Sequence, residues 1–141
     1  MARGENPGAV LTVEVVSTGN DALTYDKDQA FGHASAGKDL VLSMVSTGGN
    51  EGKAVIGADG SMILGKFVDL DQNGIASYMP AAHPMILRKS AADIVSGAGL
   101  VCAGGGKVKS PSTAGERDVA RGFVTEVLEN TDNGRILAWI P

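Results

Sequence analysis

Apolar positions along this chain fall in short runs, several alternating with a period of two, and none sustains the 3.6-residue period of a long helix. Residues 9–16 (AVLTVEVV) alternate in part and are rich in β-branched side chains, which predicts a strand packing at least one face. A second strand is predicted at 40–45 (LVLSMV), stopped by STGGNEG, and a short third at 53–56 before an Ala-Asp-Gly turn. Residues 62–70 predict a fourth, with Val68 and Leu70 on one face and Phe67, Asp69 and Asp71 on the other. DQNG then turns the backbone into a strand at 75–78, and Pro80 and Pro84 bracket a non-helical bend before 85–88.

The last third repeats this rhythm. Short strands predicted at 100–103, 107–109, 122–128 and 135–140 are separated by a Gly-Gly-Gly turn, a PSTAGERD loop and a Thr-Asp-Asn-Gly turn. One short helix is expected at 90–95, where Ser90 offers a cap. The expected class is all-β with at most one short helix, a small β-barrel or β-sandwich of short strands with an extended N-terminal arm. Residues 1–16 supply the arm and first strand and 17–141 a single β-rich domain, with 17–37 as an extended connection. FVDLDQNGIA (67–76) lies over LVCAGGGKVK (100–109) without a gap, so the two hairpins are candidates for a duplicated unit.

Composition sharpens this picture in two ways. Only 4% of residues are aromatic while glycine occurs 20 times, so the core must be aliphatic and the turns tight. The net charge of −4 comes without a long block of either sign, which disfavours nucleic acid as a partner; Arg88, Lys89, Lys107 and Lys109 would have to converge in space to change that. The polar start MARGENPG has no apolar signal core, and no stretch approaches the ~20 apolar residues of a membrane span, so synthesis in the cytosol and no membrane partner are expected. Cys102, the sole cysteine, reads as a small buried hydrophobe.

Candidate chemistry is sparse. Asp69, Asp71 and Asn73 with Gly74 open like a calcium loop, but Pro80 stands where a bidentate Glu belongs, so a hairpin turn is the expected reading. The glycines before Lys107 lack the spacing of a phosphate loop, since Val101 and Val108 replace its glycine and hydroxyl residue. His33 and His83 have no spaced metal partners, and Asp69 with His83 is the one pair suggesting acid–base chemistry. No cofactor and no catalytic activity are expected. Trp139, in ILAWIP, suits either an interface core or a ring plugging a barrel.

The C-terminal half resembles the head-decoration, or cement, proteins of tailed bacteriophages. IVSGAGLVCAGGGKVKSP (94–111) and RGFVTEVLENTDNGRILAWI (121–140) carry the resemblance: a glycine and apolar pair, a short glycine turn, Lys-Val, then a Gly-Phe-Val strand and a final strand after Asn-Gly. Residues 1–93 match less distinctly, and the 17–37 connection and the 79–84 loop depart from the smallest members. The resemblance implies a virion structural protein on the outer capsid surface, partnered by the major capsid protein and by itself as a homotrimer. Val10, Leu11, Val13 and Val15 are then the candidate capsid contact, and Leu137, Trp139 and Ile140 the candidate trimer contact. A phage tail, fibre or other binding module is the alternative reading. A small metal-dependent hydrolase using Asp69, Asp71 and His83 is the third.

Overall fold

A computed structural model describes residues 8–16, 39–46, 48–91 and 93–141. It contains β1 (Leu11–Glu14), β2 (Val41–Met44), β3 (Ala54–Ile56), β4 (Gly65–Leu70), β5 (Ile75–Met79), β6 (Ala82–Arg88), β7 (Val101–Gly104), β8 (Lys107–Lys109), helix α1 (Ala114–Val119), β9 (Phe123–Val127) and β10 (Arg135–Ile140). The all-β class is as expected, and β8 falls on the predicted residues. The 17–37 connection lies outside the described residues.

The strands form three antiparallel sheets, ordered β1-β5-β4-β2-β3, β6-β10-β9 and β7-β8. None closes into a barrel, which corrects that half of the expectation. The five-stranded sheet curls far enough for its two edges to touch, but only through one parallel bridge, Val15 to Ala54, where the Val16 N–H donates to the Ala54 carbonyl at 2.9 Å. A barrel needs a continuous ladder around the ring.

Two apolar clusters follow from this layout. Leu40, Leu42, Ile56, Phe67, Leu70 and Tyr78 pack together along the five-stranded sheet, with Val13 and Val15 against them. The larger cluster draws on every sheet, joining Val41 and Met79 to Leu87, Cys102, Val108, Val124 and Ile136. Because each sheet contributes to the same buried surface, the hydrophobic stabilisation of one depends on the presence of the others.

Four predicted details fail for local reasons. The alternation at 67–71 breaks because the β4–β5 register shifts between Phe67 and Asp69; the extra residue, Val68, points outward while Phe67 and Leu70 both enter the core. The bend predicted at 80–84 is confined to its start at Pro80, and β6 begins already at Ala82 and runs through His83 and Pro84; β6 is an edge strand, where a missing N–H is tolerated. The described part of 90–95 is not helical, because Lys89 pairs with Val108 and the Ser90 N–H donates to the Val108 carbonyl. The helix lies at Ala114–Val119, where the Thr113 hydroxyl accepts from the Glu116 N–H and the Glu116 carboxylate accepts from the Ser112 N–H. The gapless echo between the two hairpins is not kept in their pairing either: Leu70 faces Ala76, whereas Val101 faces Lys109 and Gly104 faces Lys107.

The sheets meet at Arg121. Its guanidinium donates to the carbonyls of Ile63 at 2.7 Å, Leu64 at 3.2 Å and Pro80 at 3.0 Å, and also to Pro141. Its backbone exchanges both hydrogen bonds with Leu100, ahead of β7. Gly122 follows at φ 59°, against the Trp139 carbonyl, where no side chain would fit. Replacing Arg121 by Ala should destabilise the protein by about 2–4 kcal/mol, because several inward carbonyls lose their donor. Arg121→Lys should recover little, since one ammonium cannot span four acceptors. Urea denaturation curves of both variants, compared at their midpoints, check this.

Candidate functional site

In the three-stranded sheet β10 lies between β6 and β9. One face of β10 supplies Ile136, Ala138 and Ile140 to the large cluster, so Trp139 faces away from it. The β6 register carries two residues, His83 and Pro84, opposite Trp139, because Ala82 pairs with Ile140 and Met85 with Ala138. That bulge sets His83 beside the indole, and on the other side Trp139 pairs directly with Phe123 of β9. Three rings therefore form a row across the sheet. The His83 and Trp139 rings stack with centroids 4.1 Å apart at 10°, and the Phe123 and Trp139 rings are 6.2 Å apart at 6°.

Trp139 is 42% exposed and Phe123 43%. Aromatic side chains normally bury most of their surface, so two half-exposed rings side by side on a sheet form a distinctive surface among the described residues. Phe67 and Tyr78, by contrast, are buried in the smaller cluster. Of the two readings of Trp139, the plug is excluded, because the ring lies outside the core. The candidate trimer contact narrows to this residue: Ile140 is fully buried in the large cluster and Leu137 is only 5% exposed. Nothing in the strand's sequence separates Trp139 from its neighbours; His83 and Phe123 join it through register alone.

The candidate capsid contact divides similarly. Val10 and Leu11 are exposed, whereas Val13 and Val15 pack against the smaller cluster. β1 is not a loose arm, since Leu11–Glu14 pairs with β5 from Tyr78 to Ile75. Elsewhere, Met44 and Met62 flank a groove of about 340 Å³ with Ser46, Ser61, Leu64 and Val119. Among the described residues no charged side group lines it.

The charged candidates are committed to local partners. The Asp71 carboxylate accepts from the Asn73 N–H at 2.8 Å and the Ile75 N–H at 2.9 Å, so it shapes the hairpin turn. Asp69 lies on the five-stranded sheet and His83 on the three-stranded one. Among the described residues no three of His, Cys, Asp and Glu gather into a metal-ligand set. Lys107 and Lys109 flank the residue that pairs with Lys89, but each base has its own acceptor. Arg88 faces Asp39 at 3.7 Å, Lys107 meets Asp132 at 3.0 Å, Lys109 meets Asp59 at 2.8 Å and Glu116 at 3.2 Å, and the buried Lys89 ammonium donates to the Ser90 carbonyl. No described helix is long and apolar enough to cross a membrane. Comparison with known proteins gives no matching family model, no matching curated protein and no matching solved structure.

Two titrations are set by these surroundings. The Ser112 N–H and the Lys109 ammonium hold the Glu116 carboxyl down at about 2, from an ordinary 4.5. A depressed carboxyl contributes stability that is complete above its unfolded value and lost as pH falls through its folded one. Thermal midpoints should therefore fall between about pH 4.5 and pH 2, and Glu116→Gln should remove part of that slope. Burial, then the Asp59 charge, pushes the Cys102 thiol up to about 12. It should resist a thiol-reactive disulfide reagent at neutral pH in the folded protein and react promptly in denaturant.

Proposed function

We propose that this protein is a virion structural component that decorates and stabilises the outside of a mature icosahedral phage head, bridging subunits of the major capsid protein. The observation that carries the proposal is the row of His83, Trp139 and Phe123, held on one face of a rigid sheet with the two large rings half exposed. Such rings typically anchor protein–protein contacts, where their area is removed from water at little entropic cost.

A second exposed apolar site, Val10 and Leu11 at the start of β1, belongs to a different sheet. A bridging protein needs two contact surfaces, and after the first contact forms the second is effectively intramolecular, so modest patches sum to firm attachment. The resemblance of residues 94–111 and 121–140 to head-decoration proteins points the same way, and with it comes self-association as a homotrimer around Trp139. The same aromatic row also suits the rival reading, a tail, fibre or other binding module.

The test is co-sedimentation of the purified protein with expanded, undecorated heads and with unexpanded proheads of the phage that encodes it. Saturable binding to expanded heads alone is expected, and Trp139→Asp should weaken it roughly 30-fold, the scale of an interface hot spot. The thermal midpoint of the variant, measured alongside, should fall by only a few degrees, because the ring lies outside both clusters and what is lost is its stacking on His83 and Phe123. Binding to neither shell would overturn the proposal and favour the tail or fibre module.

A further inference from the structure

Asn-Gly occurs twice in this protein, at 73–74 and 133–134, each time in a turn between strands. The dipeptide carries its own chemistry. The glycine nitrogen, unhindered by any Cβ on its own residue, can attack the asparagine carboxamide carbon; the carboxamide C–N bond breaks, ammonia leaves and a succinimide closes. Water then opens the ring at either carbonyl, giving aspartate or isoaspartate, and no other reactant is consumed. The rate depends on how freely the backbone rotates to bring that nitrogen onto the carboxamide.

The two turns differ in that freedom. The Asn133 N–H donates to the Lys89 carbonyl at 2.9 Å, and its carbonyl accepts from the Arg88 guanidinium at 3.2 Å. The Gly134 N–H donates to the Thr131 carbonyl at 2.9 Å, and its carbonyl accepts from the Lys89 N–H at 2.8 Å. Gly134 is buried, crowded by the Glu129 and Thr131 carbonyls. Every backbone polar group of this dipeptide is thus engaged, and rotation requires the β6–β10 junction to open.

Asn73 stands at the exposed tip of the β4–β5 hairpin. The Gly74 N–H reaches the Asp71 carbonyl at 3.2 Å, a longer bond than its counterpart, and a Cβ built on Gly74 would meet nothing within 4 Å. Besides that bond, the tip is held by the Asp71 carboxylate beneath the Asn73 and Ile75 amides and by the Asp71 N–H on the Ile75 carbonyl, bonds made within the turn itself and not across a junction between β6 and β10.

We propose that Asn73 is the site of spontaneous deamidation and isoaspartate formation in the folded protein, while Asn133 is protected by its turn. The product reaches beyond the tip. Isoaspartate routes the backbone through Cβ and Cγ and so adds one backbone atom between the two amides that Asp71 holds. The Gly74 carbonyl is also the acceptor for the Val15 N–H, at 2.9 Å. Ageing at Asn73 therefore loosens the end of β1, the strand that opens with the exposed Leu11.

The test is peptide mass mapping of the folded full-length protein during incubation at mildly alkaline pH, with an isoaspartyl methyltransferase assay on the same digests. The Asn73 peptide should gain about one dalton and become a methyl acceptor ~10-fold faster than the Asn133 peptide, a difference set by local opening. In urea, where both turns are lost, the two rates should converge. Equal rates in the folded protein, or a faster Asn133, would overturn the assignment. Hydrogen exchange gives a second readout: the Val15 amide should lose protection in aged protein but not in an Asn73→Ser variant aged alongside. Retained protection in isoaspartate-bearing protein would overturn the link to β1.

Discussion

One arginine reaches strand ends of all three sheets, two through its guanidinium and the third through its backbone. Arg121 takes the carbonyls that lead into β4, the carbonyl between β5 and β6, and the residue that follows β10, while its own backbone bridges to Leu100 ahead of β7. Those carbonyls belong to strand ends, where ladder hydrogen bonding has run out and an acceptor turned inward would otherwise go unsatisfied. Only a planar, multidentate donor can serve so many at once. Burial lowers the affinity of the guanidinium for its proton, yet the group stays charged and its hydrogen bonds are correspondingly strong.

Much of the strand layout was legible, and the reasons are specific. β8 and β10 each follow a glycine turn, and both are too short, with a proline close behind, to form a helix instead. What escaped was mostly register. The bulges at Val68 and at His83–Pro84 depend on how two strands slide against each other, a long-range property that alternation within one strand does not encode. The aromatic row escaped for the same reason: His83 and Phe123 are neighbours of Trp139 only after β6, β10 and β9 are paired. The helix is a different case. Thr113-x-x-Glu116 is a capping box in plain view, but α1 buries none of its residues, so the apolar period that normally marks a helix is missing.

The electrostatics follow one pattern throughout. Bases that cluster in sequence end beside acids from other segments: Lys107 with Asp132, Lys109 with Asp59 and Glu116, Lys66 with Asp39. Exposed pairs of this kind contribute little individually, but the Lys66–Asp39 pair is largely shielded, its side chains 10% and 16% exposed. It ties the entrance of β2 to β4, and Arg88 reaches the same carboxylate from β6. Among the described residues, these bases are thus neutralised by acids brought to them by the fold.

The protein's single tryptophan sits in the aromatic row. Its indole is stacked on an imidazole, half open to solvent and distant from the interior that most tryptophans report on. Fluorescence excited selectively at the indole is therefore a signal from one face of one sheet. A binding event there would shift the emission without any label, while changes confined to the curled five-stranded sheet would leave it dark.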